Sequence, residues 1–355
     1  MAATGGMWAW CFCVNVATGV VLHPEGTPDA NWPGEPLVNM VGRWINDASC
    51  VAVAPNYIIT TRHQGGGNEE SDRVFFSGIE YQIVQVWNEP STDGAADLRV
   101  CRIATVSGEP ANLTHYAAVY AATDEAQGEG LQVIIGGYGS ERQATLLSGE
   151  PPQAYGYSWS TGVGNTDQSQ RWGANRIQGS GILEESFLTD YLLADFDDLL
   201  EGDAAVYEAA PAEFDSGGGW FVQCGNQWKV VGLSLGVEHG AEKESWFRRM
   251  ANPDVADPDD LFAVRISAYA QWIRSVAGEP ACAKLLPGDF NGDCLINELD
   301  AAMFGAHWLR EDCHEVNGYC QGADFYPTNG RVDLFDFGML AIDWLDSAEP
   351  LLPCE

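Results

Sequence analysis

Between residues 37 and 277 the chain alternates short apolar runs with turn residues, and this alternation restricts the possible folds more than any other feature. Clear examples of such runs are residues 50–54, 57–59, 131–135 and 228–233. Glycine is abundant, at 40 of 355 residues, which favours short strands and many turns over long helices. Apolar runs of this length are typical of a β-barrel or a β-sandwich. We therefore expect a mainly β domain over residues 37–277.

The chain length indicates one large domain and a smaller one rather than a single core. Residues 263–273 are predicted to pass from a strand into an amphipathic helix, which ends at the sequence Gly-Glu-Pro of residues 278–280. The predicted units are an N-terminal segment, the β domain, a linker, a small C-terminal domain and a tail, at residues 1–36, 37–277, 278–287, 288–346 and 347–355.

The N-terminal segment contains an apolar stretch at residues 7–22, but no basic residue precedes it. A secretory signal normally begins with basic residues. The stretch is therefore interpreted either as a degenerate signal or pro-region, or as a buried first strand.

Acidic residues outnumber basic ones by 51 to 17, for a formal net charge of −34. Such a surface repels nucleic-acid phosphates and anionic lipids, which excludes both as partners. A plain consequence of this charge is solubility. No apolar run approaches the roughly 20 residues of a membrane-spanning helix, so no membrane insertion is expected.

The ten cysteines are concentrated towards the C-terminus, where five of them follow residue 281. No Cys-x-x-Cys pair occurs, which argues against a zinc cluster. The C-terminal group predicts disulfides in an oxidising compartment, with Cys313 and Cys320 as the best local pair. An extracellular or cell-surface location follows, although the signal for secretion is not clear.

Three residues, in the order His63, Asp97 and Ser216, are candidates for nucleophilic catalysis. Their local sequences are Ile-Ile-Thr-Thr-Arg-His, Ala-Ala-Asp-Leu-Arg-Val and Phe-Asp-Ser-Gly-Gly-Gly. A serine hydroxyl is a weak nucleophile, so it needs a base and a carboxylate that orients the base. Singly, each residue has an ordinary structural explanation as a surface histidine, a turn carboxylate or a flexible glycine turn. Together and in this order they predict a catalytic triad.

At these residues the chain resembles the trypsin/chymotrypsin-like serine proteases over about residues 37–277. The Thr-Thr-Arg-His sequence is similar to that family's Thr-Ala-Ala-His, and Asp-Ser-Gly-Gly is its serine motif. The resemblance implies a chymotrypsin-like double β-barrel and a serine endopeptidase. It also implies that Ser216 attacks the carbonyl group, that His63 transfers the proton, and that Asp97 orients His63.

The same resemblance implies further site residues. Backbone N–H groups of Phe214 and Ser216 would form the oxyanion hole. Ala210 would lie at the floor of the specificity pocket, and Ser234 and Gly236 would line the strand that pairs with substrate. Because Ala210 is neither acidic nor a serine, cleavage after Lys or Arg is not supported, and small or medium apolar side chains are expected.

The chain departs from the family pattern at several positions. Phe214 replaces a glycine whose backbone conformation glycine suits best. Gln64 replaces the cysteine that follows the histidine, and Leu261 is expected to crowd the pocket. No Ile-Val-Gly-Gly start is found to pair with Asp215, and the valines at residues 20–21 are a weak candidate for such an end.

The C-terminal unit contains a candidate calcium loop. Its oxygen-bearing residues occupy loop positions 1, 3, 5, 9 and 12, which are Asp289, Asn291, Asp293, Asn297 and Asp300. Calcium binds six to eight oxygen atoms, which alternate side chains in a tight loop supply. The alternative is a solvated acidic turn.

A second copy of the loop-and-helix unit follows, spaced by 36 residues. Its candidate ligands are Asp324, Asn329, Asp333 and Asp336. Asp324 lies one residue too far upstream, so this loop is expected to carry an insertion or to bind poorly. Two copies can bury each other's apolar faces. The pair resembles a type I dockerin module, and that resemblance implies a cohesin-like docking partner.

The leading hypothesis is a secreted serine endopeptidase that acts on peptides or proteins, needs no cofactor for catalysis, and is tethered by a calcium-dependent module. The alternative is a weak or inactive protease homologue that acts as a calcium-dependent binding or scaffold protein, which Phe214 favours. A third hypothesis is a non-peptidase acyl hydrolase on the same scaffold.

Overall fold

The computed structural model of the chain describes residues 19–23, 39–45, 48–90, 95–140, 142–160, 170–184, 186–200, 202, 204–224, 227–278, 288, 296–314, 318–321, 323–324, 328–342 and 344. The fold is mainly β, which confirms the expectation from the short apolar runs. No helix within these residues is long and apolar enough to cross a membrane.

Six strands close into a barrel in the first half of the chain. They are β2 (Val41–Trp44), β3 (Ala48–Ala54), β4 (Tyr57–Thr60), β5 (Arg73–Phe76), β6 (Ile79–Asn88) and β7 (Arg99–Thr105). The order around the barrel is β2-β3-β4-β7-β6-β5. Every residue of β3 is buried, which explains why its residues 50–54 are apolar without alternation.

The second half forms a larger sheet. Its strands are β8 (Ala118–Val119), β9 (Gln132–Gly137), β12 (Arg171–Arg176), β13 (Gly179–Glu184), β14 (Leu188–Asp195), β16 (Gly219–Cys224), β17 (Gln227–Val237) and β19 (Asp260–Arg265). The order is β12-β9-β16-β17-β19-β14-β13, and β8 pairs with β17 in parallel. Two smaller sheets accompany it, built from β1 (Gly19–Leu22), β15 (Ala209–Ala212), β10 (Arg142–Ser148), β11 (Gln153–Trp159) and β18 (Glu244–Trp246).

One hydrophobic cluster joins the closed barrel to the larger sheet. Val51 and Val100 of the barrel belong to the same buried cluster as Phe221 and Leu233 of the sheet. Burial of such side chains stabilises the folded state by about 25 cal/mol for each Å² of apolar surface that is removed from water. The cluster therefore fixes the two β units against each other and defines a junction between them.

Helix α1 (Ile266–Ala277) follows β19 directly, as predicted from the sequence. It buries residues spaced by three or four positions, including Ile266, Ala270 and Ile273, against the joint cluster. Gly278 ends the helix in a left-handed conformation and donates its N–H to the carbonyl of Arg274.

The C-terminal unit has its own small core. Helices α2 (Glu298–Ala306) and α3 (Leu334–Ile342) are linked through a left-handed turn at Gly318–Gln321. Its buried side chains are Ile296, Phe304, Cys313, Cys320, Ala323, Val332 and Leu340. The predicted disulfide between Cys313 and Cys320 is confirmed.

Candidate active site

The pairing of β4 with β7 brings His63 and Asp97 together. Thr60 at the end of β4 lies opposite Arg99 at the start of β7, so the turn after β4 meets the turn before β7. The backbone N–H groups of Arg62 and His63 donate to Asp97 Oδ1 at 2.5 and 2.8 Å. The carboxylate is therefore held by the backbone of the histidine turn itself.

Asp97, His63 and Ser216 form a continuous hydrogen-bonded chain. His63 Nδ1 lies 2.5 Å from Asp97 Oδ2, and His63 Nε2 lies 2.8 Å from the Ser216 hydroxyl. Since an ionised carboxylate only accepts hydrogen bonds, the proton lies on Nδ1. The lone pair of Nε2 then faces the serine hydroxyl, which is the orientation a general base needs.

The charge of Asp97 is stabilised although the residue is only 3% exposed. Burial alone raises the pKa of Asp97, but the hydrogen bonds and charge of His63, with the Arg62 N–H, outweigh it and lower the pKa below its usual value. Thr189 of the larger sheet holds the backbone of Asp97, since the Thr189 hydroxyl accepts the Asp97 N–H at 3.0 Å. Thr189 lies 92 residues along the chain, and no sequence pattern indicated it.

Ser216 lies in the turn between β15 and β16, at the junction of the two β units. Its carbonyl accepts the N–H of Ser49 from β3 at 3.0 Å, so the nucleophile turn is bonded directly to the barrel that carries His63. Gly217 has a φ of 78°, and a Cβ there would collide with the Thr60 hydroxyl and the Ser49 carbonyl. The glycine that follows the nucleophile is thus required by close approach of the barrel.

Phe214 adopts the left-handed backbone conformation for which glycine is normally chosen, with a φ of 79°. The Ser49 hydroxyl donates to the Phe214 carbonyl at 3.4 Å and accepts the Tyr138 N–H at 3.0 Å. Within the described residues, the Phe214 N–H is bonded to no acceptor. The substitution of glycine by phenylalanine therefore leaves a donor beside Ser216, at the position predicted for the oxyanion hole.

Asp215, next to the nucleophile, is completely buried. Its Oδ1 accepts the Gly139 N–H at 3.2 Å and its Oδ2 accepts the Ala212 N–H at 3.4 Å. Val20 and Val21, the candidates for an end that pairs with Asp215, lie instead within β1 and face β15. Backbone amides thus bind this carboxylate where the family resemblance implied a chain terminus.

The predicted substrate-binding residues occupy different surroundings. Ala210, the predicted pocket floor, is completely buried in β15 opposite Val21 and belongs to one cluster with Leu261. Ser234 is buried, and its hydroxyl accepts the Trp220 indole N–H at 3.1 Å. Gly236 lines an open cavity. Of the three residues, only Gly236 therefore borders space that a ligand can enter.

Two cavities lie beside the triad. The smaller, of 70 Å³, is bordered by His63 and Asp97, and by Leu183, Ser186, Phe187, Thr189 and Leu235. The larger, of 320 Å³, shares Leu183 and Leu235 with it. Sequence reasoning missed Leu183, Phe187 and Thr189, because they come from β13, β14 and the turn between them, whose adjacency to the triad depends on the sheet order.

The cluster Glu238, His239 and Asp259 has ligand atoms within 4.8 Å of one another. However, Asp259 accepts hydrogen bonds from His239 Nδ1 and, at 2.9 Å, from the Trp246 N–H. His239 also stacks on Trp246 with ring centroids 3.6 Å apart. Both oxygens of Asp259 are thus engaged, and these contacts brace the end of β17.

In the first predicted calcium loop, Asp289, Asn291 and Asp293 lie outside the described residues. Asp300 is buried, and its Oδ2 accepts the N–H of Asn297 at 2.9 Å. This bond is that of a carboxylate three residues inside a helix reaching back to its start. The position that was predicted as a metal ligand therefore also caps helix α2.

The second loop closes around Asp324, which is 2% exposed. Its two carboxylate oxygens accept the N–H groups of Asn329 and Gly330 at 3.0 and 2.8 Å. At the start of α3, Asp336 accepts the Asp333 N–H at 3.0 Å, which repeats the cap of α2. No Lys or Arg in the described part of the chain is bonded to Asp324, so this buried carboxylate has the electrostatic character of a cation ligand.

No protein-family model matches the chain, and no curated protein matches it.

Proposed function

We propose that this chain is a secreted serine endopeptidase with a chymotrypsin-like double β-barrel. The observation that carries the proposal is the hydrogen-bonded chain from Asp97 through His63 to Ser216. The location of these three residues supports the proposed fold. His63 and Asp97 come from the closed barrel, whereas Ser216 lies just before β16, which pairs with β17 in the larger sheet. In this fold class, catalytic groups lie between the two β units.

In the proposed reaction, Ser216 Oγ attacks the carbonyl carbon of a peptide bond while His63 Nε2 takes the hydroxyl proton. Asp97 stabilises the resulting imidazolium through Nδ1. The N–H groups of Phe214 and Ser216 donate to the oxyanion of the tetrahedral intermediate. His63 then gives its proton to the leaving amine, and a water molecule, activated by the same base, releases the acyl group from Ser216.

A fluorophosphonate probe tests the proposal, because only an activated serine is phosphonylated quickly. The wild-type chain is expected to be labelled once, and Ser216→Ala and His63→Ala are each expected to lose the labelling. Ser275→Ala is the matched serine control, since this exposed serine lies on helix α1, where its hydroxyl donates to the Trp272 carbonyl at 2.7 Å. Labelling that survives in Ser216→Ala would contradict the proposed nucleophile.

One observation favours the alternative of a weak or inactive homologue that serves as a calcium-dependent binding protein. Ala210, at the expected floor of the specificity pocket, exposes no surface. Parallel assays with a peptide library and with an activated ester separate three outcomes. Peptide hydrolysis supports the endopeptidase, ester hydrolysis alone supports a non-peptidase acyl hydrolase, and neither activity supports the binding protein.

For the C-terminal unit we propose calcium binding and docking to a cohesin-like partner. Buried Asp324 supports the first part, and the disulfide Cys313–Cys320 agrees with an extracellular or cell-surface location. Exposed apolar side chains of α3, with Leu334 at 73% and Ile342 at 75%, support a docking face. Titration of the full chain with calcium by calorimetry tests the ion, and binding to an immobilised cohesin domain with and without a chelator tests the partner.

A further inference from the structure

The two cavities share part of their walls and are together called the groove. Leu183 of β13 and Leu235 of β17 line both of them. The groove begins at His63 and Asp97 and widens away from them into the 320 Å³ cavity. Ser216 lines neither cavity, but His63, whose Nε2 lies 2.8 Å from the Ser216 hydroxyl, borders the smaller one, so a substrate at Ser216 would lie next to this groove.

The walls of the larger cavity are apolar and rigidly placed. Tyr191 of β14 and Phe262 of β19 meet edge to face, with ring centroids 5.4 Å apart. These strands pair in register along Tyr191–Asp195, so the two rings are held by the sheet. Apolar walls with a few polar groups are typical of ligand sites.

The far end of the groove is acidic. Glu238 and Asp260 both line it, and the Glu238 N–H donates to the Asp260 carbonyl at 3.0 Å. Burial raises the pKa of Asp260, and the neighbouring carboxylates of Glu238 and Asp257 raise it further. Among the described residues that line this cavity there is no Lys or Arg. A cation bound here would relieve the repulsion between the two carboxylates.

The length of the groove matches an extended peptide. Leu235 and Glu238 are three residues apart in sequence at the end of β17, which corresponds to about 10 Å in extended chain. A substrate strand that runs beside β17 covers the same distance with about three residues. The charge at Glu238 is therefore well separated from the bond that Ser216 would attack.

We propose that this groove binds an extended peptide whose apolar side chain occupies the cavity between Leu183 and Leu235 and whose Lys or Arg side chain, about three residues further from the scissile bond, faces Glu238 and Asp260. The inference deepens the proposed function, on which it rests, by naming the substrate class. It is compatible with Ala210, because the basic residue is not the one at the scissile bond. The net charge of −34 also attracts basic peptides over longer distances.

The test compares peptides that differ only at that distal position, which carries Lys, Gln or Glu. For the wild-type chain we expect kcat/KM to fall about fivefold from Lys to Gln, and further to Glu, at low ionic strength. The double variant Glu238→Gln, Asp260→Asn is expected to lose this order. Glu109→Gln, a carboxylate on an exposed turn of the first barrel, is the matched control and should keep it.

A charge reversal guards against a variant that merely folds poorly. Glu238→Lys is expected to prefer the Glu peptide over the Lys peptide, an inversion that general loss of structure cannot produce. Equal rates for the Lys, Gln and Glu peptides in the wild type, or an unchanged preference in the double variant, would overturn the proposal.

Binding measurements distinguish failure of the groove proposal from failure of the proposed endopeptidase function. Ser216→Ala cannot form the acyl intermediate, so the affinity of fluorescein-labelled Lys and Gln peptides can be measured with it by anisotropy. A preference for the Lys peptide without any cleavage by the wild type supports the groove proposal and contradicts the endopeptidase proposal. Cleavage by the wild type, with equal affinity of Ser216→Ala for both peptides, contradicts the groove proposal and supports the endopeptidase proposal.

Discussion

Replacement of Asp97 by asparagine tests whether the triad works through the tautomer of His63. The Asp97 carboxylate accepts hydrogen bonds from the N–H groups of Arg62 and His63 and from His63 Nδ1. The asparagine oxygen can still accept the two backbone groups, but its NH₂ group then faces Nδ1. Nδ1 must become an acceptor, so the proton moves to Nε2, which can no longer take the proton of Ser216.

The expected loss follows from that single change. A base in the wrong tautomer removes proton transfer while the backbone contacts of the turn remain, so kcat should fall by about 10⁴-fold. This loss corresponds to about 5 kcal/mol of transition-state stabilisation. KM should stay within about twofold, because no group that lines the groove is changed in size.

Steady-state hydrolysis of a fluorogenic peptide at pH 7 measures both constants. Asp254→Asn is the matched control. In the described structure this exposed aspartate accepts a hydrogen bond only from Gln153 Nε2, at 2.9 Å, and it lines neither cavity. A loss of kcat smaller than about tenfold in Asp97→Asn, with the thermal melting curve unchanged, would refute the tautomer argument.

Substitutions at three other positions, Phe214, Glu208 and Asp324, give separate tests. Phe214→Gly should keep kcat within about threefold and leave the melting temperature nearly unchanged, since relief of about 1 kcal/mol of left-handed strain offsets the added entropy of the unfolded chain. Phe214→Val places a β-branched side chain at a φ of 79° and should lower both kcat and the melting temperature. Equal behaviour of the two variants would contradict the strain argument. Burial raises the pKa of Glu208 to about 9 from 4.5, so the folded state keeps its proton and stability should fall as the pH rises between these values, by up to about 1.4 kcal/mol per pH unit. Glu208→Gln has no such proton, and differential scanning fluorimetry from pH 5 to 9 should show a flatter curve; parallel curves would exclude this origin. Calcium should raise the melting temperature of the C-terminal transition. Asp324→Ala should lose part of the gain while Asp312→Asn keeps it, because Asp324 is buried and Asp312 is exposed; identical curves with calcium and with a chelator would contradict calcium binding.

The candidate site was predictable to the extent that its chemistry is local. His63, Asp97 and Ser216 each carry a recognisable neighbourhood in the sequence, and the required order reduces chance matches. The resemblance marked position 214 as one whose backbone suits glycine, and the φ of 79° at Phe214 agrees with this; the bond from Ser49 to its carbonyl, from another β unit, was not predictable.

The groove was outside the reach of sequence reasoning for a similar reason. Leu183 and Leu235 belong to strands that are not neighbours in sequence; Leu235 lies between Ser234 and Gly236 in the predicted substrate-pairing strand, whereas Leu183 lies in no motif. Glu238 is one of many acidic residues in this chain, so its type alone carried no information. The second calcium loop was predicted to be weak from its spacing, and this stays a prediction; the structure adds that Asp324 accepts two backbone N–H groups within the loop.

By itself the sequence determined that the chain would be mainly β, because short apolar runs separated by glycine-rich turns can bury their side chains only as paired strands. It also determined where α1 begins and ends and which two cysteines pair locally, since both depend on neighbours within a few residues. Only the tertiary structure decided which strands are adjacent, and so which side chains border the triad. The bond between His63 and Ser216 spans 153 residues, and such a contact arises from packing of the joint core, which no local pattern records.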